Sequence, residues 1–489
     1  MIRERLEHIA RNPATLPLLL VMALFFRWVR LDTQELGIDE MITALEANGI
    51  FMEGLAAAGE PFTREQLSEL DKPINVMRSN MEMDGGNGLL FAFGLHGWKE
   101  MFGNGTIAWR SLSVLLGVLS ILLVHRTLLA FGGTQGSALL AAAFAALNAQ
   151  FVDYSQEVRG YMLGVVLVLS TVLFAMHASE RSRPRWFDGP LLGCLAAGAL
   201  FSHYFTAYIL LPFAVWYWVG RRSRSSLYGS LVAVLIPMVA MGLWAAHLGG
   251  DGLQVILGRN QEIVDLVKTS GGDALFPAIT WGNALQGLSY QFLSMAGTMT
   301  RDLEVYKPPV FIVLPVILFL AFLGARYGRH GVLLLLLASA APINGLLLSS
   351  YTGHAVALRA HYAMFSAPFM IMLLAMGADH LLANQRWGRI AWALPLLLVL
   401  ATGWGTVQVW KGTNYLGPDR CSLDAWRIEE TLTRTPDGNY QLVYGSRMAA
   451  SIVGLHLLER AREVSSVIRT MDHTVLLVRS NPSDTLIIR

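Results

Sequence analysis

The chain has 489 residues, of which 54% are hydrophobic and 15% are charged, and its mean hydropathy is +0.46. Soluble domains average about 25% charged residues, so this composition excludes an ordinary water-soluble protein and indicates a membrane protein. The net charge of +2 gives no support for nucleic-acid binding. The two cysteines, Cys194 and Cys421, lie in an apolar stretch and in a polar tail and give no disulfide framework.

The first apolar run, from Pro13 to Phe26, follows three arginines and ends at Arg27-Trp28. No small-residue cleavage site comes after it, so a retained membrane span is predicted rather than a signal peptide. Trp and a snorkelling Arg both favour the headgroup level of a bilayer. This pattern predicts that Arg27 and Trp28 anchor the span at the interface.

Length and hydropathy predict about eleven membrane-spanning helices. The stretch 190–219 is short for two spans, but basic clusters flank it on both sides, so two short helices that turn near Ser202-His203-Tyr204 are predicted. The complete set is 13–29, 107–129, 134–152, 160–178, two helices in 190–219, 226–247, 309–326, 331–350, 361–382 and 388–410.

This arrangement places the N-terminus and the arginine clusters on one face, which the positive-inside rule makes cytoplasmic. The opposite face receives two large loops, 30–106 and 248–308, and a polar tail, 411–489. The predicted fold class is an all-α polytopic membrane protein with a small C-terminal α/β domain. Residues 1–410 form the membrane domain in this prediction, and 411–489 form the soluble domain on the non-cytoplasmic face.

Apolar residues at three- and four-residue intervals predict further helices in the outer loops, over 41–58, 89–101 and 280–296. Each would lie along the membrane interface or pack on the helix bundle. In the tail, helices over 422–434 and 447–459 and strands over 440–444, 463–468, 474–479 and 485–488 are predicted.

No nucleotide-binding motif of the GxxxxGK[ST] or GxGxxG type is present, and no His/Cys cluster has the spacing of metal ligands. No cofactor is therefore predicted. A divalent metal is left open, although there is no clear ligand set for one.

Polar clusters on the predicted outer face are the remaining candidates for chemistry. Asp39 and Glu40 are adjacent, about ten residues past the first apolar run, and Tyr154-Ser155-Gln156-Glu157-Val158-Arg159-Gly160-Tyr161 joins two predicted spans. The second cluster is either an aromatic and charged collar at the interface or a site whose Glu157 and Arg159 point into a cavity between helices.

Two further clusters join the same face. His203-Tyr204 lies at the turn between the two short helices, and Arg359, with His361 and Tyr362, opens a later span. Together with Arg159 these residues offer the cations and hydrogen-bond donors that a phosphate group requires.

Several of these segments resemble the bacterial relatives of the protein O-mannosyltransferases. The resemblance rests on Asp39-Glu40, DGGNGLLFAFGLHGWKEMFG (84–103), Trp109-Arg110-Ser111-Leu112-Ser113, YSQEVRGYML (154–163) and SHYFTAYILLP (202–212). It covers residues 13–220 well and the later spans through topology and 359–362. This is the membrane-embedded glycosyltransferase superfamily, of GT-C type, that also holds the lipid A aminoarabinose and galacturonic acid transferases.

One departure from the family pattern is clear. Relatives often carry His-Pro-Pro or Pro-Pro-Leu-Tyr where this chain has Asn87-Gly88-Leu89-Leu90-Phe91. Any role of a histidine at that point is therefore in doubt.

The resemblance implies a glycosyltransferase of the bacterial inner membrane. It would move a sugar from a polyprenyl-phosphate donor to an acceptor hydroxyl on the extracytoplasmic face, with inversion at the anomeric carbon. Asp39 is then the general base and Glu40 the supporting member of the catalytic pair. Arg159, His203 and Arg359 are candidates for the donor phosphate, and substrate binding falls to Tyr154, Gln156, Glu157, Tyr161, Tyr204, His361 and Tyr362.

The partners implied are the lipid-linked donor, membrane lipid and an acceptor that is a lipid, a polysaccharide or a protein. Two other classes stay open from the sequence. A transporter or lipid flippase would also keep charges within a multi-span bundle, though no inverted repeat is seen. A structural scaffold that docks through its tail would have no cavity near Asp39.

Overall fold

The computed structural model describes most of the helical part of the chain and the strands of the tail. The described residues are 2–31, 36–50, 61–63, 68–103, 105–181, 185–220, 224–243, 279–299, 310–328, 330–352, 358–384, 390–411, 420–421, 439–443, 464–469, 474–479 and 485–488. The predicted tail helices over 422–434 and 447–459, the second half of the helix predicted over 41–58 and most of the loop 248–308 lie outside this part.

Helices dominate the described residues. They are α1 Ile2–Arg11, α2 Thr15–Trp28, α3 Ile38–Ala47, α4 Pro73–Asp84, α5 Leu89–Phe102, α6 Thr106–Ala130, α7 Gln135–Leu147, α8 Ala149–Ser155, α9 Tyr161–Glu180, α10 Asp188–Ser202, α11 Ala207–Gly220, α12 Arg224–Leu243, α13 Trp281–Met295, α14 Val310–Tyr327, α15 Gly331–Thr352, α16 Ala367–Ala383 and α17 Ile390–Lys411. Short 3-10 helices form at Tyr204–Thr206 and Ala360–Ala363.

Among the described residues, five helices (α6, α9, α14, α15 and α17) are each long and apolar enough to cross a bilayer, and the number rises to seven if each of two bent helix pairs forms one span. Shorter apolar helices occupy 188–202, 204–219, 231–243 and 367–383. Every predicted span coincides with one of these helices or helix pairs, which confirms an all-α polytopic membrane protein. The number of crossings stays a prediction.

Two predicted spans differ in detail from the helices found. The span predicted over 134–152 is the pair α7 and α8, which bend by 57° at Asn148. The side chain of Asn148 accepts a hydrogen bond from the Phe151 N–H (3.0 Å), so it starts α8 as a new helix. The stretch 190–219 contains α10 and α11 with the turn at 203–206 between them, as predicted.

The interfacial anchor predicted at Arg27 is wrong, because this side chain is fully buried. Its guanidinium donates hydrogen bonds to the carbonyl oxygens of Ala145 (3.1 Å) and Ala146 (3.1 Å) and to the Ser155 hydroxyl (3.1 Å). These carbonyls end α7, where the helix dipole favours a cation. Arg27 thus holds the bend between α7 and α8 instead of lying in the headgroup region.

Two groups of contacts, one at each end of the helix bundle, link segments that are far apart in the sequence. At one end Arg3 lies 3.3 Å from Asp379, and Glu7 accepts a hydrogen bond from the Gly136 N–H (3.0 Å). At the other end the Trp410 indole donates to the Phe26 carbonyl (3.0 Å). The segments predicted to share a face are therefore in contact with one another.

Strands of the tail pair with two strands of the first outer loop. The loop strands are β1 Leu36–Gly37 and β2 Pro61–Thr63. The described tail strands are β3 Arg420–Cys421, β4 Asn439–Val443, β5 Val464–Arg469, β6 Thr474–Arg479 and β7 Thr485–Ile488. Five of them pair in the order β2-β5-β6-β4-β7, and β1 pairs separately with β3, antiparallel. Loop and tail therefore lie on the same side, and the four predicted tail strands are confirmed.

Candidate functional site

The site begins at the N-terminus of α3, which starts three residues earlier than predicted. The Glu40 carboxylate accepts a hydrogen bond from the Gly37 N–H (2.9 Å). This is the capping-box arrangement, in which a side chain in the first turn satisfies a backbone donor ahead of the helix. Asp39 and Glu40 therefore lie inside the first turn of α3, where the helix dipole favours carboxylates.

Glu40 faces inward and pairs with Arg110 of α6. Its two oxygens accept hydrogen bonds from Nε (3.1 Å) and Nη2 (3.1 Å) of Arg110, and both side chains are excluded from solvent. Glu40 also accepts from the Val158 N–H (3.0 Å). One carboxylate thus joins α3, α6 and the loop before α9, which gives Glu40 a structural role.

Asp39 faces the opposite way. Its side chain is 63% exposed, and its Oδ1 lies 3.6 Å from Nη2 of Arg159. A contact of this length between an exposed carboxylate and a cation is weak and readily exchanged. Asp39 is therefore open to a molecule that approaches from the outer face.

Arg159 is buried and already meets two carboxylates. Its Nη1 donates to Asp84 (2.9 Å) and to the Thr43 hydroxyl (3.1 Å), while Nη2 faces Asp39. Burial alone would lower the pKa of this arginine, but the carboxylates of Asp84 and Asp39 outweigh it and raise the pKa above its ordinary value. The guanidinium is therefore a permanent cation.

Asp84 is a site residue that the sequence analysis did not single out, because it stands directly before Gly85 and Gly86, a pattern typical of a turn. It is the last residue of α4, and Gly85 ends the helix in the left-handed conformation (φ 60°). An acid at a helix C-terminus is disfavoured by the helix dipole and needs a cation nearby. That conflict was the available signal, and Arg159 resolves it.

The turn after Asp84 is tied to the turn between α10 and α11. The Tyr204 hydroxyl donates to the Gly85 carbonyl (2.6 Å), and the Tyr204 N–H donates to the Asn87 side chain (3.2 Å). Asn87 in turn donates to Asp84 (3.3 Å). Asn87 therefore connects two parts of the site.

Aromatic rings continue the site from Tyr161. The Tyr161 ring packs against Tyr154 (4.7 Å between centroids) and stacks on His203 (4.8 Å). His203 contacts Phe205 (5.2 Å), and Phe205 meets Tyr362 edge to face (4.5 Å). Tyr154, Tyr161, His203, Phe205 and Tyr362 thus form one continuous row of ring contacts, the ring wall.

Buried hydrogen bonds fix the loop that carries Arg159. Gln156 is buried and donates hydrogen bonds to the carbonyls of Arg27 (2.9 Å) and Val29 (2.9 Å). Glu157 is also buried. This loop therefore does not form a solvent-facing collar, and Gln156 has a structural role.

Arg359 lies at the edge of the same region and is half-buried. Its carbonyl accepts hydrogen bonds from the Gln291 side chain (3.2 Å) and the Tyr362 N–H (3.2 Å), which hold the start of the 3-10 helix Ala360–Ala363. His361 belongs to this 3-10 helix, and its side chain lies outside the described part.

The structure therefore brings most of the predicted residues together. Tyr161 interacts electrostatically with Asp39, Arg159, Tyr362 and Asp84. Among the described residues no group of three or more His, Cys, Asp or Glu side chains could hold a metal ion. The expectation of no cofactor stays a prediction.

Solved structures of the oligosaccharyltransferase of Archaeoglobus fulgidus are similar to this chain. The apo form is 14% identical with a TM-score of 0.48, and the match covers 87% of this chain and 59% of the archaeal one. The form in complex with an inhibitory peptide and a dolichol-phosphate is 14% identical with a TM-score of 0.45, covering 86% and 58%. The chain thus spans less than two thirds of the archaeal protein's length. No curated protein matches it.

At the level of sequence, residues 87–248 match the family model described as dolichyl-phosphate-mannose-protein mannosyltransferase. This segment contains Arg110, Arg159, His203 and Tyr204, whereas Asp39 and Asp84 precede it. Over about a third of its length the chain therefore carries the sequence pattern of the protein mannosyltransferase family, which confirms the predicted resemblance to GT-C membrane glycosyltransferases.

Proposed function

We propose that this protein is an integral membrane glycosyltransferase that moves a sugar from a polyprenyl-phosphate donor to an acceptor hydroxyl. The match over residues 87–248 supports this, since the family's description names a sugar carried on a lipid phosphate. The helices that are apolar enough to span a bilayer support a membrane-bound donor. The reaction would take place on the extracytoplasmic face of a bacterial inner membrane, with the N-terminus cytoplasmic.

The observation that carries the mechanism is the exposure of Asp39 beside a buried, fully paired Glu40. Asp39 is the base: it takes the proton of the acceptor hydroxyl as the oxygen attacks the anomeric carbon. The bond from that carbon to the phosphate oxygen breaks, and the polyprenyl phosphate leaves with the electron pair. A single displacement through an oxocarbenium-like transition state inverts the anomeric centre.

Polyprenyl phosphate leaves without a general acid, but its charge needs donors. The carboxylates of Asp39 and Asp84 already balance the positive charge of Arg159. We therefore propose that Arg159 orients Asp39 and does not itself bind the phosphate. His203 accepts a hydrogen bond at Nδ1 from the Phe205 N–H (3.3 Å), which leaves Nε2–H as a donor. His203 and the half-buried Arg359 are the phosphate candidates.

Glu40 supports Asp39 by fixing the start of α3. Tyr362, the partly exposed ring, offers a stacking surface for a sugar, and the buried Tyr154 and Tyr161 pack behind it. Glu157, Tyr204 and His361 complete the proposed surroundings of the substrate, while Gln156 holds the loop from its buried side. The acceptor is a lipid, a polysaccharide or a protein. An outer carboxylate beside a paired arginine supports transfer over transport, since a transporter needs a polar path near the midplane.

The test uses Asp39→Asn in membranes supplied with lipid-linked sugar donor. Sugar transfer is expected to disappear, because an amide cannot accept the proton. Glu100→Gln is the matched control, since the Glu100 side chain of α5 is also 63% exposed and outside the site. Transfer is followed by mass analysis of glycolipids and glycoproteins.

Loss of transfer in Asp39→Asn with wild-type transfer in Glu100→Gln would support the base. Full transfer by a folded Asp39→Asn protein would overturn it. Comparing extracts from cells with and without the gene identifies the sugar and the acceptor at the same time.

A further inference from the structure

Among the described residues, Asp84 is the buried acid in direct contact with Arg159, and the mechanism above does not use it. Its Oδ2 already accepts hydrogen bonds from Arg159 and from the Asn87 side chain, so we treat it as acting through these partners and not by contact with a substrate. Its oxygen Oδ2 lies 2.9 Å from Nη1 of Arg159. Any effect on the reaction must therefore pass through another residue.

The two ends of the Arg159 guanidinium are held differently. Nη1 has two buried partners, Asp84 and the Thr43 hydroxyl, and Thr43 itself donates to the Asp39 carbonyl (3.1 Å). Nη2 has the longer, 3.6 Å contact with exposed Asp39. A buried Arg–Asp pair is costly to break, whereas an exposed ion pair is weak. Arg159 is thus held firmly by Asp84 and only weakly by Asp39.

We propose that Asp84 is a positioning residue that anchors Arg159 and so keeps Asp39 available as the base. Without the charge of Asp84, the guanidinium would turn to Asp39, the other near carboxylate, with Glu46 as a more distant anion. A tightly paired Asp39 is held in place and accepts a proton less readily. This inference rests on the proposed function of Asp39.

The sequence offers an independent reason for this arrangement. Asp84 ends α4, where the helix dipole disfavours a carboxylate, so its charge is best placed beside a cation such as Arg159. The following Gly85 and Gly86 both have positive φ (60° and 82°) and let the chain turn at once toward Asn87 and Tyr204. The acid is thereby fixed at the point where it meets Arg159.

The test is a double-mutant cycle of Asp84→Asn and Arg159→Met, with kcat and the donor KM measured for each variant. Asp84→Asn is expected to lower kcat by about tenfold, a coupling of ordinary size within one salt-bridge network, and to leave the donor KM unchanged. On the Arg159→Met background the same change is expected to have no further effect. Asp84→Glu, which keeps the charge, is expected to recover part of the lost kcat.

Three results would overturn the proposal: an equal loss of kcat in both backgrounds, a raised donor KM with unchanged kcat, or unchanged kinetics in folded Asp84→Asn. If Asp84→Asn fails to fold, the cycle is run with Asp84→Glu, and its effect must again vanish in Arg159→Met. Full activity in Asp39→Asn would instead overturn the proposed function itself. Failure of the role of Asp84 and failure of the proposed function are therefore distinguishable.

Discussion

Asp39 and Glu40 are neighbours in the chain and lie in opposite environments, one 63% exposed and the other 1% exposed. Consecutive residues of an α-helix point about 100° apart, so one faces the outer surface and the other faces α6. The exposed member is accessible from the surface. The buried member fixes the helix that carries it.

Glu40→Gln is expected to destabilise the protein by about 3–5 kcal/mol, because it leaves the buried Arg110 without its counter-charge. Thermal or denaturant unfolding in detergent measures the change. Asp39→Asn, which breaks an exposed pair, is the control and should change stability by less than about 1 kcal/mol. A Glu40→Gln protein as stable as the wild type would show that Glu40 does not hold α3.

Arg359→Ala is expected to raise the donor KM about tenfold or more, since a charge-assisted hydrogen bond to phosphate is lost. Stability should change little, because this side chain is half-buried at the edge of the site. Arg126→Ala at the opposite end of the bundle is the matched control, and its side chain is exposed. Equal KM values for the two variants would remove Arg359 from the phosphate site.

Gly160→Ala is expected to lose about 1–3 kcal/mol of stability and to disturb the site. A Cβ at this position would clash with the Ser202 carbonyl oxygen, although φ is −66° and suits any residue. Gly97→Ala is the control, because a Cβ there meets nothing within 4 Å and alanine should stabilise α5 by roughly 0.5–1 kcal/mol. Unfolding curves of both variants should shift in opposite directions.

Leu36→Cys is expected to form a disulfide with the native Cys421, since the two residues are paired in register between β1 and β3. Facing residues of antiparallel strands have Cα separations that a disulfide bridges. The experiment uses a Cys194→Ser background and detects the bond by peptide mass analysis before and after reduction. Free thiols at both positions after mild oxidation would contradict the pairing of loop and tail.

The positions of the helices could be read from the sequence because long apolar runs carry their own signal. Even the two short helices α10 and α11 were predicted, from the basic residues that flank them. The environment of Arg27 could not be predicted, since an arginine at the end of a span favours the interface unless a neighbouring helix ends beside it. Here the last carbonyls of α7 do so.

The candidate site was predicted by motif for Asp39 and Arg159, but their division of roles was not. Glu40 and Asp84 acquire their partners, Arg110 and Arg159, at separations of 70 and 75 residues in the chain. Pairing over such distances depends on how helices pack, which local periodicity does not encode. The roles assigned to the individual site residues stay proposals until the variants above are measured.

The pairing of β1 with β3 and of β2 with β5 has a consequence for biosynthesis. Residues 36–37 and 61–63 leave the ribosome long before their strand partners at 420–421 and 466–468. The segment around Asp39 is therefore synthesised before nearly the whole membrane domain, and its β partners are synthesised after that domain. The two loop strands can therefore complete their pairing only after residues 420–421 and 466–468 have been synthesised.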